Sequence, residues 1–262
     1  MIPKIIHYCW FGKKRKPKMV RDCIISWEKH LPDYQIIEWN EKNTNFSHPF
    51  VKEAYQKKKW AFVSDYIRLE KIEQIGGIYL DTDVMIIKNL DVFLEQDCFF
   101  GAEDKNFINA ALFGALPQNS FVKSCREEYD FLQFEKNQNF GEITIPRIIT
   151  QKFRDHYNFK NHFDTLVTEK EVVIYPPLYF YPFPYEDRKD LNNYKKYISN
   201  TSFAVHLWSS SWVEYSEFQY FENREYLKGF FKMIWYIFNN REFKYVYFRK
   251  IGSSIKKSLR SK

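Results

Sequence analysis

Glycine is scarce in this chain, at 8 of 262 residues, and proline is barely commoner at 10. Collagen-like and low-complexity architectures need far more of both. Cysteine is thin as well. The four residues Cys9, Cys23, Cys98 and Cys125 form no C-x-x-C pair and no zinc-finger spacing, which argues against a disulfide framework or a structural zinc site. No stretch approaches the roughly 20 apolar residues of a spanning helix. The longest uncharged apolar run toward the C-terminus is Met233–Asn240. The order of a signal peptide is reversed, because the brief apolar start Met1–Gly12 precedes the basic run Lys13–Lys18. The expectation is a cytoplasmic protein with reduced thiols.

Aromatic residues, by contrast, are abundant: 26 Phe and 19 Tyr bring the aromatic share to 20%. That share argues against disorder, and the length fits one large domain or one domain with a short appendage. The net charge of +7 is unevenly placed. Residues 228–262 hold ten Lys or Arg and one acid, Glu242, and so carry +9, which leaves −2 on the rest of the chain. A nucleic-acid enzyme more often carries positive charge on its folded body, so no nucleic-acid partner is expected. A basic, aromatic tail points instead to an anionic surface, with membrane as the first candidate.

The apolar run Ile2–Trp10 reads as a buried strand, Pro17 to about His30 as a helix, and Tyr34–Trp39 as a second strand. This β-α-β order opens an α/β fold with parallel pairing. Trp60–Ile75 reads as a helix ended by Gly76-Gly77. Ile78–Leu80 is a short buried strand that stops at Asp81-Thr82-Asp83, and Val84–Ile87 is expected to resume it. Further strands are expected at Cys98–Ala102, Phe107–Phe113 and Phe203–Leu207, and helices at Ser120–Phe134, Ile145–Tyr157 and Glu225–Asn240. Val172–Tyr185 carries four prolines and reads as strand or extended loop. The division expected is a body over 1–222 and a basic helical tail over 223–262.

Asp81-x-Asp83 places two carboxylates at a strand end, where a turn can bring both to one side. There they can hold a hard divalent cation, Mg²⁺ or Mn²⁺, that bridges nucleotide phosphates. A solvated turn is the bland alternative. Asp65 and Arg68 share a face of the preceding helix. They are either an ordinary surface pair or, with Ser64, neighbours of the two aspartates.

Residues 61–87, AFVSDYIRLEKIEQIGGIYLDTDVMII, resemble the DXD sugar-binding region of glycosyltransferase family 32. That region is shared by yeast Golgi mannosyltransferases, capsule and lipooligosaccharide transferases and the large clostridial glucosylating toxins. The opening IPKIIHYCWFG and the block HLWSSSW at 206–212 are similar to the family as well. The resemblance implies a GT-A type fold, a Rossmann-like mixed sheet flanked by helices, with retention of anomeric configuration. It implies Mn²⁺ or Mg²⁺ and a nucleotide-sugar donor, a UDP-hexose being favoured over GDP-mannose. A glycan or lipid-linked glycan acceptor follows, in capsular polysaccharide or lipooligosaccharide synthesis. Trp10 would then stack on the nucleobase, and Tyr79 and Ser64 would line the donor pocket. Asp65 and Arg68 would bind sugar and diphosphate, and Asp81 and Asp83 the metal. His206 or a serine of 209–211, Ser211 in particular, would complete the metal and diphosphate shell, with Trp212 on the leaving diphosphate. The large helical insertions and translocation modules of the toxins are absent from this sequence, which argues against a protein-modifying toxin. A non-catalytic sugar-nucleotide or carbohydrate-binding protein on the same fold is the alternative, and a peripheral membrane scaffold is a third reading.

Other residues carry two readings each. Asn109 is a sugar ligand or an edge-strand residue. His7, inside the first strand, reads as a satisfied core histidine. The basic run Lys13–Lys18 is a solvated loop or a phosphate attractor. Phe180, Tyr181, Phe183 and Tyr185 form a sugar-stacking wall or plain core. In the tail, Phe230, Phe231, Ile234, Trp235 and Phe238 recur near helical spacing among Lys228, Lys232, Arg241, Lys244, Arg249 and Lys250. They suit a membrane interface, at the inner face of the cell membrane, or a helix packed on the body.

Overall fold

Strand β1 (Ile5–Cys9) is buried almost throughout, and β2 (Gln35–Trp39) lies parallel beside it, with Ile6 opposite Ile36. Between them runs α1 (Lys18–His30), whose buried residues Val20, Cys23 and Trp27 follow helical spacing. This is the β-α-β opening read from the sequence. The structure, a computed structural model, describes residues 1–133, 143–209, 217–222, 224–240 and 245–260. Two compact units emerge, Met1–Ser209 and Ser210–Lys262.

In the first unit a seven-stranded mixed sheet has the order β2-β1-β3-β6-β5-β8-β7. Its other strands are β3 (Gly77–Leu80), β5 (Cys98–Ala102), β6 (Ile108–Ala115), β7 (Val167–Glu169) and β8 (Val172–Tyr175). β1, β2 and β3 are parallel, β6 runs against β3 and β5, and β8 is parallel to β5. The C-terminal ends of β1, β3 and β5 therefore share one edge of the sheet, with the start of β6 beside them. In open α/β sheets that edge is where ligands bind.

Alternation along the strands builds a core on each face. Tyr79, Phe100 and Phe113 enter one core together with α2 (Pro49–Gln56), α3 (Trp60–Ile75), α4 (Ser120–Glu127) and α5 (Ile145–Tyr157). Phe100 stacks on Phe113 with ring centroids 4.8 Å apart. Ile78, Leu80 and Phe99 enter the other core, against Trp27 of α1. α3 is buried nearly all round, including Asp65, Arg68, Lys71 and Glu73. It ends at Gly76 and Gly77, both at positive φ, and a Cβ on Gly77 would fall 2.6 Å from the Ile5 carbonyl oxygen. Glycine is what lets β3 lie that close to β1.

Several expectations change here. Val84–Ile87 does not resume β3. The Val84 amide donates to the Asp81 carbonyl at 3.0 Å, and this turn sends β4 (Val84–Ile86) out of the main sheet. There it pairs antiparallel with β9 (Ala204–His206), with Val84 opposite His206. α4 stops at Glu127, short of Phe134, and continues only as a 3₁₀ turn over Glu128–Asp130. Phe134 itself lies outside the described residues. After β8 the chain leaves the sheet at Pro176-Pro177, and Phe180, Tyr181 and Phe183 are fully buried. Those three are core, not a sugar-stacking wall; of that group Tyr185 alone is exposed.

The second unit contains α6 (Glu217–Glu222), α7 (Tyr226–Asn240) and α8 (Tyr245–Arg260). Phe221, Ile237, Tyr247 and Ile251 form its small core, and the buried Tyr247 hydroxyl donates to Glu217 at 2.8 Å. α6 thus belongs with the two later helices, and the division falls earlier than the 222/223 boundary expected from composition. Among the described residues no helix is long and apolar enough to cross a membrane.

Candidate active site

β3 ends at Leu80, and the next residue turns toward α3. The Asp81 amide is fixed by the Ala111 carbonyl of β6 at 2.7 Å. Its carboxylate meets the Arg68 guanidinium through two contacts, Nη2 to Oδ1 at 3.1 Å and Nη1 to Oδ2 at 3.2 Å. This is the fork geometry that distinguishes arginine from lysine. Arg68 Nη2 also lies 3.0 Å from Asp65 Oδ1, while Nη1 donates to the Ala110 carbonyl at 2.9 Å. The Tyr79 ring sits 4.5 Å from the guanidinium carbon, and the Tyr79 hydroxyl donates to Asp81 Oδ1 at 3.0 Å. The i,i+3 pair is therefore no exposed surface bridge: Arg68 is only 5% exposed.

Asp83 turns the other way along the same loop. Its Oδ1 lies 3.1 Å from Nε2 of His206, a residue 123 positions away at the end of β9. Its Oδ2 accepts from both the Ser209 amide and the Ser209 hydroxyl, each at 2.9 Å. Trp208 makes that return possible. It sits at φ +50°, where a bulky side chain is strained, and its indole donates to the Phe183 carbonyl at 2.7 Å while its ring lies 3.9 Å from His206.

The electrostatics divide the two aspartates. Burial pushes the Asp65 carboxyl up to about 7 against the opposing pull of Arg68, with Asp81 adding repulsion. Burial likewise raises Asp81, opposed by Arg68 and reinforced by Asp83. At Asp83 burial also pushes upward, but His206 and the Ser209 donors outweigh it and hold the group at about 2. His206 is raised: burial disfavours its cation, and Asp83 more than compensates. One guanidinium thus serves two carboxylates, and the loop beyond it carries a third.

That shortage of positive charge fits a cation. Ligand atoms of Asp81, Asp83 and His206 all lie within 4.8 Å of one another. His206 Nδ1 is buried and unpaired among the described residues. Two carboxylates and an imidazole form an oxygen-rich set with one nitrogen, chemistry that suits Mn²⁺ at least as well as Mg²⁺.

Of the residues picked from sequence, Asp65, Arg68, Tyr79, Asp81, Asp83 and His206 meet in this cluster. Ser64 supplies its carbonyl to Arg68 Nε at 3.3 Å, while its hydroxyl turns back onto the Trp60 carbonyl. Trp10 lies just past β1 on the same sheet edge, half-buried, with its indole donating to the Lys14 carbonyl at 2.7 Å. Asn109 is buried at the start of β6. Its side-chain oxygen accepts from the Ala111 amide at 2.7 Å and its amide donates to Glu103 at 2.5 Å. Ser211 and Trp212 fall outside the described residues. Two residues, Trp208 and Glu103, were not picked from sequence, and Ser209 was left open within the run 209–211. Among the described residues, Ser209 is the serine of that run that holds Asp83. Trp208 gave no signal. Glu103 lies directly after β5, and its place on the shared edge could have marked it; burial pushes its carboxyl up to about 7.

Comparison with known proteins bears on the stretch that carries the two aspartates. Residues 17–100, about a third of the chain, match the family model described as "Glycosyltransferase sugar-binding region containing DXD motif". The chain is similar to the lactosylceramide 4-alpha-galactosyltransferase of Pongo pygmaeus, 26% identical over 56% of this chain and 66% of that protein. The human protein of that name is 26% identical over 56% of this chain and 41% of its own length. The human alpha-1,4-N-acetylglucosaminyltransferase is 25% identical over 60% of this chain and 45% of that protein. The chain thus spans roughly two-fifths to two-thirds of these relatives. Solved structures similar to it include the PaToxG glycosyltransferase (TM-score 0.48, 16% identical, 60% of this chain and 70% of that one). Another is the galactosyltransferase LgtC in complex with donor and acceptor sugar analogues (TM-score 0.43, 12% identical, 79% and 88%).

Proposed function

We propose that this protein is a retaining, metal-dependent glycosyltransferase. It moves a hexose from a nucleotide sugar, a UDP-hexose before GDP-mannose, to a glycan or lipid-linked glycan in capsular polysaccharide or lipooligosaccharide synthesis. The observation that carries the reading is the convergence of Asp81, Asp83 and His206 beside the buried Arg68. The named relatives transfer galactose or N-acetylglucosamine, one of them to a glycolipid, and both names specify an alpha linkage. Common UDP-hexoses are alpha-linked to phosphate, so an alpha product favours retention.

In this account Asp81, Asp83 and His206 would hold Mn²⁺ or Mg²⁺, which when bound would supply charge stabilisation to a departing diphosphate. Arg68 keeps Asp81 in place and adds fixed positive charge beside it. Asp65 and Asn109 offer polar atoms to sugar hydroxyls, and Trp10 offers a ring face at the mouth of β1. Transfer breaks the bond between anomeric carbon and phosphate oxygen, whose electrons leave with the nucleoside diphosphate. The acceptor hydroxyl forms the new bond and gives its proton to the leaving phosphate.

The test is hydrolysis of a panel of UDP- and GDP-sugars with Mn²⁺ or EDTA, by the full chain and by Asp83→Ala. Metal-dependent cleavage of one donor, lost at least ~100-fold in the variant, is expected. Absence of both hydrolysis and metal-dependent nucleotide binding would leave a carbohydrate-binding protein.

A further inference from the structure

α7 carries apolar residues on two faces, one turned to the core of its unit and one largely exposed. Ile237 and Gly229 face the small core of the second unit, with Met233 and Tyr236 packed beside them. Leu227, Phe231, Trp235 and Phe238 follow one another at intervals of four, four and three residues, which puts them on a single stripe. They are 76%, 67%, 62% and 76% exposed, and Phe230 flanks them. Singly exposed apolar residues are ordinary, but a continuous aromatic stripe on one helix marks an interaction surface.

The charge says what covers it. Residues 228–262 carry +9, and Arg249, Lys250 and Lys256 of α8 are exposed. A second copy would bring +9 against +9, so self-pairing through this region is opposed. A polyanion without an apolar phase would leave the stripe in water. A surface with anionic headgroups above acyl chains satisfies both features at once. At 15 residues α7 is about 22 Å long, short of a bilayer core of roughly 30 Å, so it lies along the surface and does not span it. We infer that α7 and α8 form a peripheral docking surface for anionic lipid, with the stripe from Leu227 to Phe238 inserted among the acyl chains and the basic side chains of α8 at the headgroups.

This inference stands apart from the transfer reaction, because its test reads binding alone. The full chain is sedimented with vesicles of phosphatidylcholine, with or without about 30% phosphatidylglycerol. Binding to the anionic vesicles, little to the neutral ones, and weakening as salt rises is expected. Phe231→Ser/Trp235→Ser/Phe238→Ser should lose binding by at least ~100-fold, since each ring buries a large apolar area. Arg249→Gln/Lys250→Gln/Lys256→Gln should lose about 100-fold, near fivefold for each charge removed. All six positions are exposed, and an unchanged melting temperature shows that the variants fold. The proposal is overturned if the chain binds neither vesicle, or if the stripe variant binds as the parent does. It is also overturned if the parent forms dimers that the stripe variant abolishes while vesicles stay unbound.

Discussion

Arg68 and Asp81, thirteen residues apart in sequence, face each other through a two-point contact at 3.1 and 3.2 Å, with the Tyr79 ring beneath the guanidinium. α3 and β3 are joined only by Gly76, so the hairpin-like return of the chain delivers both partners to one place. The contact orients the first aspartate of the D-x-D pair and leaves the second free to engage His206.

Arg68→Ala removes the cation shared by Asp65 and Asp81, which leaves buried Asp65 without its partner and partly buried Asp81 with only the Tyr79 hydroxyl. A loss of about 3–5 kcal/mol is expected in urea unfolding. Arg68→Lys should recover only part of it, because an ammonium cannot fork. A loss below about 1 kcal/mol in Arg68→Ala would mean that the pair is not organising the site.

Ser209→Ala removes one of two donors to Asp83 Oδ2 and keeps the backbone amide. Asp83 should rise from about 2, and Mn²⁺ affinity should fall by about tenfold in calorimetric titration. Ser209→Pro, which removes the amide as well, should fall further.

His7 gives a pH dependence of known sign. Its Nδ1 accepts from the Trp39 indole at 3.1 Å and its Nε2 donates to the Gly76 carbonyl at 2.9 Å, so the ring is held neutral. Burial lowers it from 6.5 to about 4. The unfolded chain takes up the proton first, so this stability is fully present above pH 6.5 and is lost as pH falls through about 4. The loss should reach about 3 kcal/mol, and His7→Gln should flatten the slope in that window.

Glu103 has the opposite sign. Burial raises it from 4.5 to about 7, so its favourable protonated state is complete below pH 4.5 and its contribution is lost as pH rises through about 7. Glu103→Gln keeps an acceptor for Asn109 and should stabilise the protein by about 1–2 kcal/mol at pH 8, with little gain at pH 4.5. A carboxylate kept at such a cost should matter to turnover, and the variant should transfer sugar more slowly while folding better.

Much of this site was legible because it is local. Gly76-Gly77, the short strand and the paired aspartates lie within one stretch, and helical spacing places Asp65 beside Arg68. Pairing between distant segments was not legible. Nothing in Val84–Ile87 says that it leaves the sheet to meet β9; the resemblance put His206 in one shell with Asp83, and the strand pairing that joins them needed the fold. Three serines in a row hide which of them bonds Asp83; the fold shows Ser209 doing so, just after Trp208 at positive φ. Phe180, Tyr181 and Phe183 illustrate a further limit, since an aromatic run has the same composition in a core as in a sugar platform. α2 was missed although Pro49 at its first turn is an ordinary start signal.

The most direct test of the central claim is an electron paramagnetic resonance titration of Mn²⁺ into the full chain with UDP present, repeated with Asp83→Ala and His206→Ala. One tightly bound ion per chain is predicted, weakened at least ~100-fold in both variants while their circular dichroism is unchanged. Equal Mn²⁺ binding by parent and variants, or no binding by the parent, would contradict a metal centre built from Asp81, Asp83 and His206.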